Sequence, residues 1–203
     1  MKKLSKIIII IALLTAMVFA FVKFSGEEIN SIGEVLVNED KTSFSKDEVI
    51  PGEIQEVDED TNTFIHKQYG FSLNYPSSLT VSNFREGDGE LVLFQGDNGD
   101  WLQIYIMPWD EEGDITVERI KEDLPDLLIL DPQRVIIGPK QKEGIGPNAL
   151  IFFSQDSGLG ETREVWFIYP EPSRGAASYL YQVTTYKRLD SVIGTVLSTL
   201  NFD

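Results

Sequence analysis

The chain carries one histidine, His66, and no cysteine. That narrows the chemistry at once. Disulfides, thiolate metal sites and cysteine nucleophiles are excluded. A single chain cannot supply two imidazoles to a metal. A histidine-dependent triad has His66 as its one possible base, and it needs a nucleophile and an orienting partner beside it. The sequence has no G-x-S-x-G elbow and no H-E-x-x-H. His66 therefore reads as a strand histidine near the start of the folded part, and no catalytic residue is expected.

Two acidic clusters have the residue types that hold a hard cation. The first is "GDGE" with "GDNGD" (Asp88, Glu90, Asp97, Asp100), and the second is "DEEGD" (Asp110, Glu111, Glu112, Asp114). Ca²⁺ wants several oxygens at about 2.3–2.6 Å. Neither cluster matches the twelve-residue calcium loop with its closing glutamate. The first reads more simply as two β-turns. The second reads as a helix N-terminus, where acids complement the dipole. Ca²⁺ is the one candidate cofactor, and none is required.

A third group is aromatic. Trp101, Tyr105 and Trp109 alternate along one run, and Trp166, Tyr179 and Tyr181 fall on later strand-like runs. Aromatic side chains dominate binding hot spots and line small-molecule pockets, so these six are the candidate partner or ligand face. Such residues also serve as a second core layer. Arg163 and Arg174, near turns, can meet an anion or simply be solvated.

The elements that must position these residues follow from periodicity. "FIHKQYGFSLNYP" reads as two strands around a Tyr69-Gly70 turn, with Phe71, Leu73 and Tyr75 on one face. Pro76 ends the second. "LVLFQGDNGDWLQIYIMPW" reads as a hairpin. In its second strand Leu102, Ile104 and Ile106 oppose Trp101, Gln103, Tyr105, Met107 and Trp109, so both faces are covered. "DITVERIKEDLPDLLIL" predicts a helix capped by Asp114 or Thr116, which Pro125 interrupts. "RVIIG", "ALIFFSQ", "REVWFIYP" and "SYLYQVTTY" predict four strands. "LDSVIGTVLSTLNFD" predicts a closing helix, capped by Asp190, with Val192, Ile193, Val196, Leu197 and Leu200 as its apolar face. The expected class is α+β, an antiparallel sheet with helices packed on it.

Ahead of this lies a different texture. Lys2, Lys3 and Lys6 precede an apolar run from Ile7 to Val22 that holds one polar residue, Thr15. The run is slightly short of the roughly 20 residues that cross a bilayer, and Leu4 and Phe24 extend it. No A-x-A cleavage pattern follows, and Phe19, Phe21 and Phe24 crowd the positions where one would sit. Residues 1–25 are read as an uncleaved membrane anchor rather than a removed signal peptide. The leading lysines keep the N-terminus cytoplasmic, which places the rest outside the cytoplasm; a cleaved signal would give a secreted domain. Residues 26–62 are acidic and aperiodic and read as a self-repelling tether. A flexible chain of that length reaches about 30–40 Å r.m.s.. Residues 63–203 are the folded domain. The formal net charge of -16 repels phosphate backbones and excludes nucleic acid as a partner.

The stretch "YGFSLNYPSSL" resembles the "GF-x-(hydrophobic)-x-YP" opening of PsbP-like domains. The order of elements after it is similar over residues 63–203. The tail "STLNFD" departs from the family's "Ser-Phe-x-Phe"-like ending, with Leu200 at the first aromatic position. The resemblance implies an α-β-α sandwich around a central antiparallel sheet and a mostly non-enzymatic family. Its members include an extrinsic photosystem II subunit, a Ran-binding nuclear import factor and bacterial envelope proteins. It implies a binding or assembly module and not photosynthesis. The expectation is a membrane-tethered, extracytoplasmic, non-catalytic interaction module serving an envelope protein, with a small-ligand or Ca²⁺-binding domain as the alternative.

Overall fold

The computed structural model describes residues 53–156, 158–172 and 177–202. The expected anchor and most of the acidic tether lie outside them, as does Arg174. Among the described residues no helix is long and apolar enough to cross a membrane.

Among the described residues eleven strands form two antiparallel sheets. The smaller sheet holds β1 (Glu53–Asp58), β2 (Thr61–His66), β3 (Phe71–Pro76) and β11 (Asn201–Phe202), in the order β1-β2-β3-β11. The larger holds β4 (Leu79–Glu86), β5 (Gly89–Gly96), β6 (Trp101–Trp109), β7 (Leu130–Ile136), β8 (Asn148–Asp156), β9 (Gly160–Tyr169) and β10 (Ser178–Tyr186), in the order β4-β5-β6-β10-β9-β8-β7. Two helices complete the described part: α1 (Val117–Asp123) and α2 (Asp190–Ser198).

The chain reaches this order by one long crossing. β4, β5 and β6 form a meander. The chain then passes through α1 to the far edge, lays down β7, and returns through β8 and β9 to β10, which pairs with β6. The central seam, β6–β10, thus joins two meanders. β6 is bulky on both faces because both are covered. Leu102, Ile104 and Ile106 face the small sheet and α2, while Met107 and Trp109 lie under α1.

The expected α+β class and its α-β-α sandwich are overturned: strands dominate the described residues, which hold two short helices. One face of the large sheet does carry a helix, but the other is closed mainly by a second sheet. Phe64, Phe71, Leu73 and Tyr75 of that sheet share a core with Val92, Phe94, Phe167 and Val183 of the large one. The acids of "EIQEVD" concealed the first strand of the small sheet. β1 pairs with β2 through Ile54–Phe64 and Gln55–Thr63, and Lys67 reaches Glu53 at 3.0 Å. Residues 53–62, assigned by composition to the tether, therefore lie in β1, its turn and the start of β2.

The helices are short, for local reasons. Thr116 caps α1, its Oγ1 accepting from the Arg119 backbone N–H at 3.1 Å. Ile115, just before the cap, and Ile120, one turn in, are both buried and share a cluster, which is a hydrophobic staple. Leu124 ends the helix, and Pro125 prevents its continuation. Asp190 sits in the first turn of α2 and makes no cap bond. It pairs instead with Arg163 Nε at 2.8 Å. Ile193, Val196, Leu197 and Leu200 are buried as the sequence pattern requires.

Thr116→Ala is expected to lower stability by about 1 kcal/mol through the lost cap. Ile120→Ala, which opens a cavity, is expected to cost about 2–5 kcal/mol. Urea unfolding followed by tryptophan fluorescence measures both. Equal losses would refute this account of α1.

Candidate functional site

The two sheets meet in a run of contacting rings. Phe64 packs edge-on to Phe94 at 5.6 Å between centroids, and Phe71 edge-on to Tyr181 at 6.0 Å. Phe167 stacks on Tyr181 at 4.8 Å with the planes 4° apart. The parity of the strands drives this. Val165, Phe167, Tyr181 and Val183 all turn toward the small sheet, and β3 answers with Phe71, Leu73 and Tyr75.

At the Phe71 end of β3 the run comes to the surface. Tyr69, Tyr169, Tyr179 and Phe202 are each partly exposed. Tyr69 meets Tyr179 edge-on at 4.9 Å, and Tyr169 stacks on Phe202 at 3.7 Å. The β2–β3 turn brings Tyr69 there. It closes through Gly70 at φ 62°, a left-handed conformation that glycine adopts without steric cost. Strand β11 brings Phe202, pairing it with Phe71.

His66 lies beneath this surface, 1% exposed, and stacks on Phe71 at 5.2 Å. Its Nε2 is 2.8 Å from Glu90 Oε1, and Asn83 Nδ2 donates to the same oxygen at 3.4 Å. The Tyr69 backbone N–H donates to His66 Nδ1 at a long 3.5 Å. With Nδ1 accepting, Nε2 carries the proton and donates it to Glu90. Both ring nitrogens are engaged within the fold. A general base needs an approachable nitrogen beside a nucleophile, and this arrangement instead ties β2 to β5. Burial raises the Tyr69 phenol above the ordinary tyrosine range, and the Glu90 carboxyl and Tyr179 push it the same way. Burial likewise raises Tyr181, to beyond the range tyrosine normally titrates in.

The six aromatic candidates do not form one face. Ser178 is the register partner of Trp109, Leu180 of Met107 and Gln182 of Tyr105. Tyr179 and Tyr181 therefore point opposite to Trp101, Tyr105 and Trp109. Trp166 shares the helix-covered side with Trp109. Trp101, Tyr105, Trp166 and Tyr181 are each at most 5% exposed, which makes them core rather than docking surface. Tyr179 alone, of the six, belongs to the partly exposed aromatic end. Tyr69, Tyr169 and Phe202 were not singled out from sequence.

The acidic candidates are likewise divided. Asp88 sits at the β4–β5 turn and Glu90 just inside β5, while Asp97 and Asp100 flank the next turn. The eight-residue strand between them spans about 25 Å. Asp88 and Asp97 cannot share a cation across that distance. Asp100 takes Arg188 at 2.5 Å. In the second cluster Glu111 pairs with Arg119, and Arg134 reaches toward Asp114 at 3.8 Å. Among the described residues no three His, Asp or Glu side chains converge as a metal site would require. Arg163 pairs with Asp190 and lies over the Phe153 ring at 4.3 Å.

Sequence reasoning also passed over Glu164, which is 7% exposed in the apolar run "REVWFIYP". Its carboxylate accepts from Thr162 Oγ1 at 2.8 Å, Trp166 Nε1 at 3.1 Å and Thr184 Oγ1 at 2.7 Å. The signal was available: an acid inside a buried strand must find donors.

No protein-family model matches the chain, and no curated protein does. A solved structure from Bacteroides thetaiotaomicron VPI-5482, at 1.50 Å resolution, is similar at 19% identity with a TM-score of 0.38. The match covers 70% of this chain and 48% of that one, so this chain spans about half the length of the solved protein.

The raised phenols set an alkaline limit. In the folded state they hold their protons above the unfolded value of about 10. Their contribution is complete below that value and is lost as pH rises through the folded one. Absorbance at 295 nm is expected to show Tyr181 ionising only with unfolding, in a cooperative step above about pH 10. A smooth, reversible titration of all seven tyrosines in the folded chain would contradict it. His66→Ala, which removes a buried ring and its bond to Glu90, is expected to cost about 3–5 kcal/mol in urea unfolding.

Proposed function

We propose that the chain is a membrane-tethered, extracytoplasmic binding module without catalytic function, which docks a protein partner at its aromatic end. The observation that carries this reading is the gathering of Tyr69, Tyr169, Tyr179 and Phe202, all partly exposed, at one end of the folded part. Rigid amphipathic rings of this kind supply interface hot spots at small entropic cost. The engagement of both His66 nitrogens supports a structural role for the lone imidazole. The lysine-led apolar run at the N-terminus supports the tether.

Charge selects the partner's chemistry. Residues 53–203 hold 26 acidic and 11 basic residues. Such a field attracts a basic surface and repels acidic ones. Tyrosine faces add cation–π attraction for arginine and lysine, about 0.5–1 kcal/mol each where exposed. The partner is accordingly an envelope protein that presents a basic segment. The buried tryptophans have no part in this contact. Trp101→Ala and Trp166→Ala act on stability.

Site-specific photo-cross-linking in cells tests the reading. A photoreactive residue replaces Tyr169 or Tyr179 in the full chain, and Asn98, exposed at the opposite turn, is the control. The expected result is one adduct from the aromatic end, mapped to a Lys/Arg-rich peptide of a membrane or envelope protein. Tyr69→Ala is expected to reduce that adduct about tenfold, the loss of one hot-spot contact of about 1.4 kcal/mol. Equal adducts from Asn98, or no adduct at all, would sink it.

A further inference from the structure

The chain has no cysteine with which to tie its two sheets together covalently, but it sets two phenol rings against each other between them. Tyr69 stands on the turn between β2 and β3 of the small sheet, and Tyr179 on β10 of the large one. Their ring centroids are 4.9 Å apart with the planes at 75°, so the edge of one ring meets the face of the other. Both rings are partly exposed. The neighbouring tyrosines are set apart from this pair. Tyr181 is 6.4 Å from Tyr69 but only 2% exposed. Tyr169 is the register partner of Tyr179, yet its ring stacks on Phe202 instead.

Two phenols in contact and open to water are the reactants of one particular oxidation. A one-electron oxidant takes an electron from each phenol as its hydroxyl proton leaves to water. The two phenoxyl radicals join through ring carbons ortho to the oxygens. The ring hydrogens on those carbons then pass through solvent back to the oxygens. The sum is one new C–C bond and the loss of two hydrogens. When the oxidant is a haem peroxidase, hydrogen peroxide takes up the two electrons and two protons and leaves as two waters. Thiols, which would consume the oxidant first, are absent. Trp101 and Trp166 are buried away from it.

We propose that Tyr69 and Tyr179 form a modification site, at which a one-electron oxidant makes a dityrosine bond within the chain. Contact gives the second ring an effective concentration that a separate molecule does not match. The net charge of -16 keeps separate chains apart and disfavours coupling between them. Tyr69 stands on a turn rather than in a strand ladder, so its ring is able to swing from edge-on to side-by-side while β10 holds Tyr179 in place. The bond would join the small sheet to the large one at the aromatic end. It goes beyond the docking reading and stands whether or not a partner docks there.

Treatment of the full-length chain, in a maltoside detergent, with a haem peroxidase and hydrogen peroxide tests it. The expected product has dityrosine fluorescence, runs as a monomer on a denaturing gel, and weighs two hydrogens less than the untreated chain. Proteolysis is expected to release a linked pair of peptides carrying Tyr69 and Tyr179. Tyr69→Phe and Tyr179→Phe keep the ring packing and remove one phenol each. Each is expected to cut the monomeric product about tenfold, the advantage of a paired phenol over an unpaired one. Tyr186→Phe, a partly exposed tyrosine at the other end of β10, is expected to leave the yield as it is. Undiminished product in Tyr69→Phe overturns the inference. So does an equal loss in Tyr186→Phe, and so do linked peptides from Tyr169 or Tyr181 in place of the pair. Product found chiefly in dimers, or no dityrosine under conditions that couple free tyrosine, overturns it as well.

Discussion

Everything in this fold depends on the contact between the inner faces of its two sheets. A four-stranded sheet of short strands has marginal stability alone. The inner face of the seven-stranded sheet, with Val92, Phe94, Phe167, Tyr181 and Val183, cannot stay in water. Phe64, Phe71 and Tyr75 meet those residues, and each ring buries about 150–250 Å². Ring geometry then fixes how the layers face each other, since edge-on and stacked pairs recur along the seam. The His66–Glu90 bond lies inside this layer and adds a directional tie to contacts that are otherwise non-directional. The partly exposed tyrosines are the same layer where it reaches water. Their rigidity as a surface comes from the core behind them.

The strands were legible because local alternation was strong. Phe71, Leu73 and Tyr75 against Ser72 and Asn74 could be little else, and the double-sided bulk of β6 marked a central strand. The first strand of the small sheet was not legible. Glu53–Asp58 has the composition of a tether, and only its pairing with Thr61–His66 makes it a strand. Nor was facing legible across strands. Whether Trp109 shares a side with Tyr179 or with Ser178 depends on register, and a shift of one residue reverses every side chain. The same limit hid the bond between His66 and Glu90, which are 24 residues apart in sequence. The helix expected within 114–130 was legible at both ends: Thr116 caps it, and it stops at Leu124 because Pro125 follows.

The molecule separates its surfaces by chemistry. Rings collect at the Phe71 end of β3, and hydroxyls with a carboxylate collect at the Pro76 end. β7 carries a different protection. Asp131, at φ 50°, and Pro132 interrupt its ladder with β8, and an interrupted edge is a poor template for further strands.

The β6–β10 seam has a kinetic consequence. Leu102 faces Thr185 across it, and β11 returns to β3 from still farther along the chain. Neither pairing can form until almost the whole sequence is available. Before then β6 is an open edge rich in tryptophan and isoleucine, a risk for chains that emerge in order from one end. High contact order of this kind belongs to slow folders. A protein with this topology spends much of its early life with its most adhesive strand exposed, and its acidic surface helps keep such chains apart while they wait for their last strands.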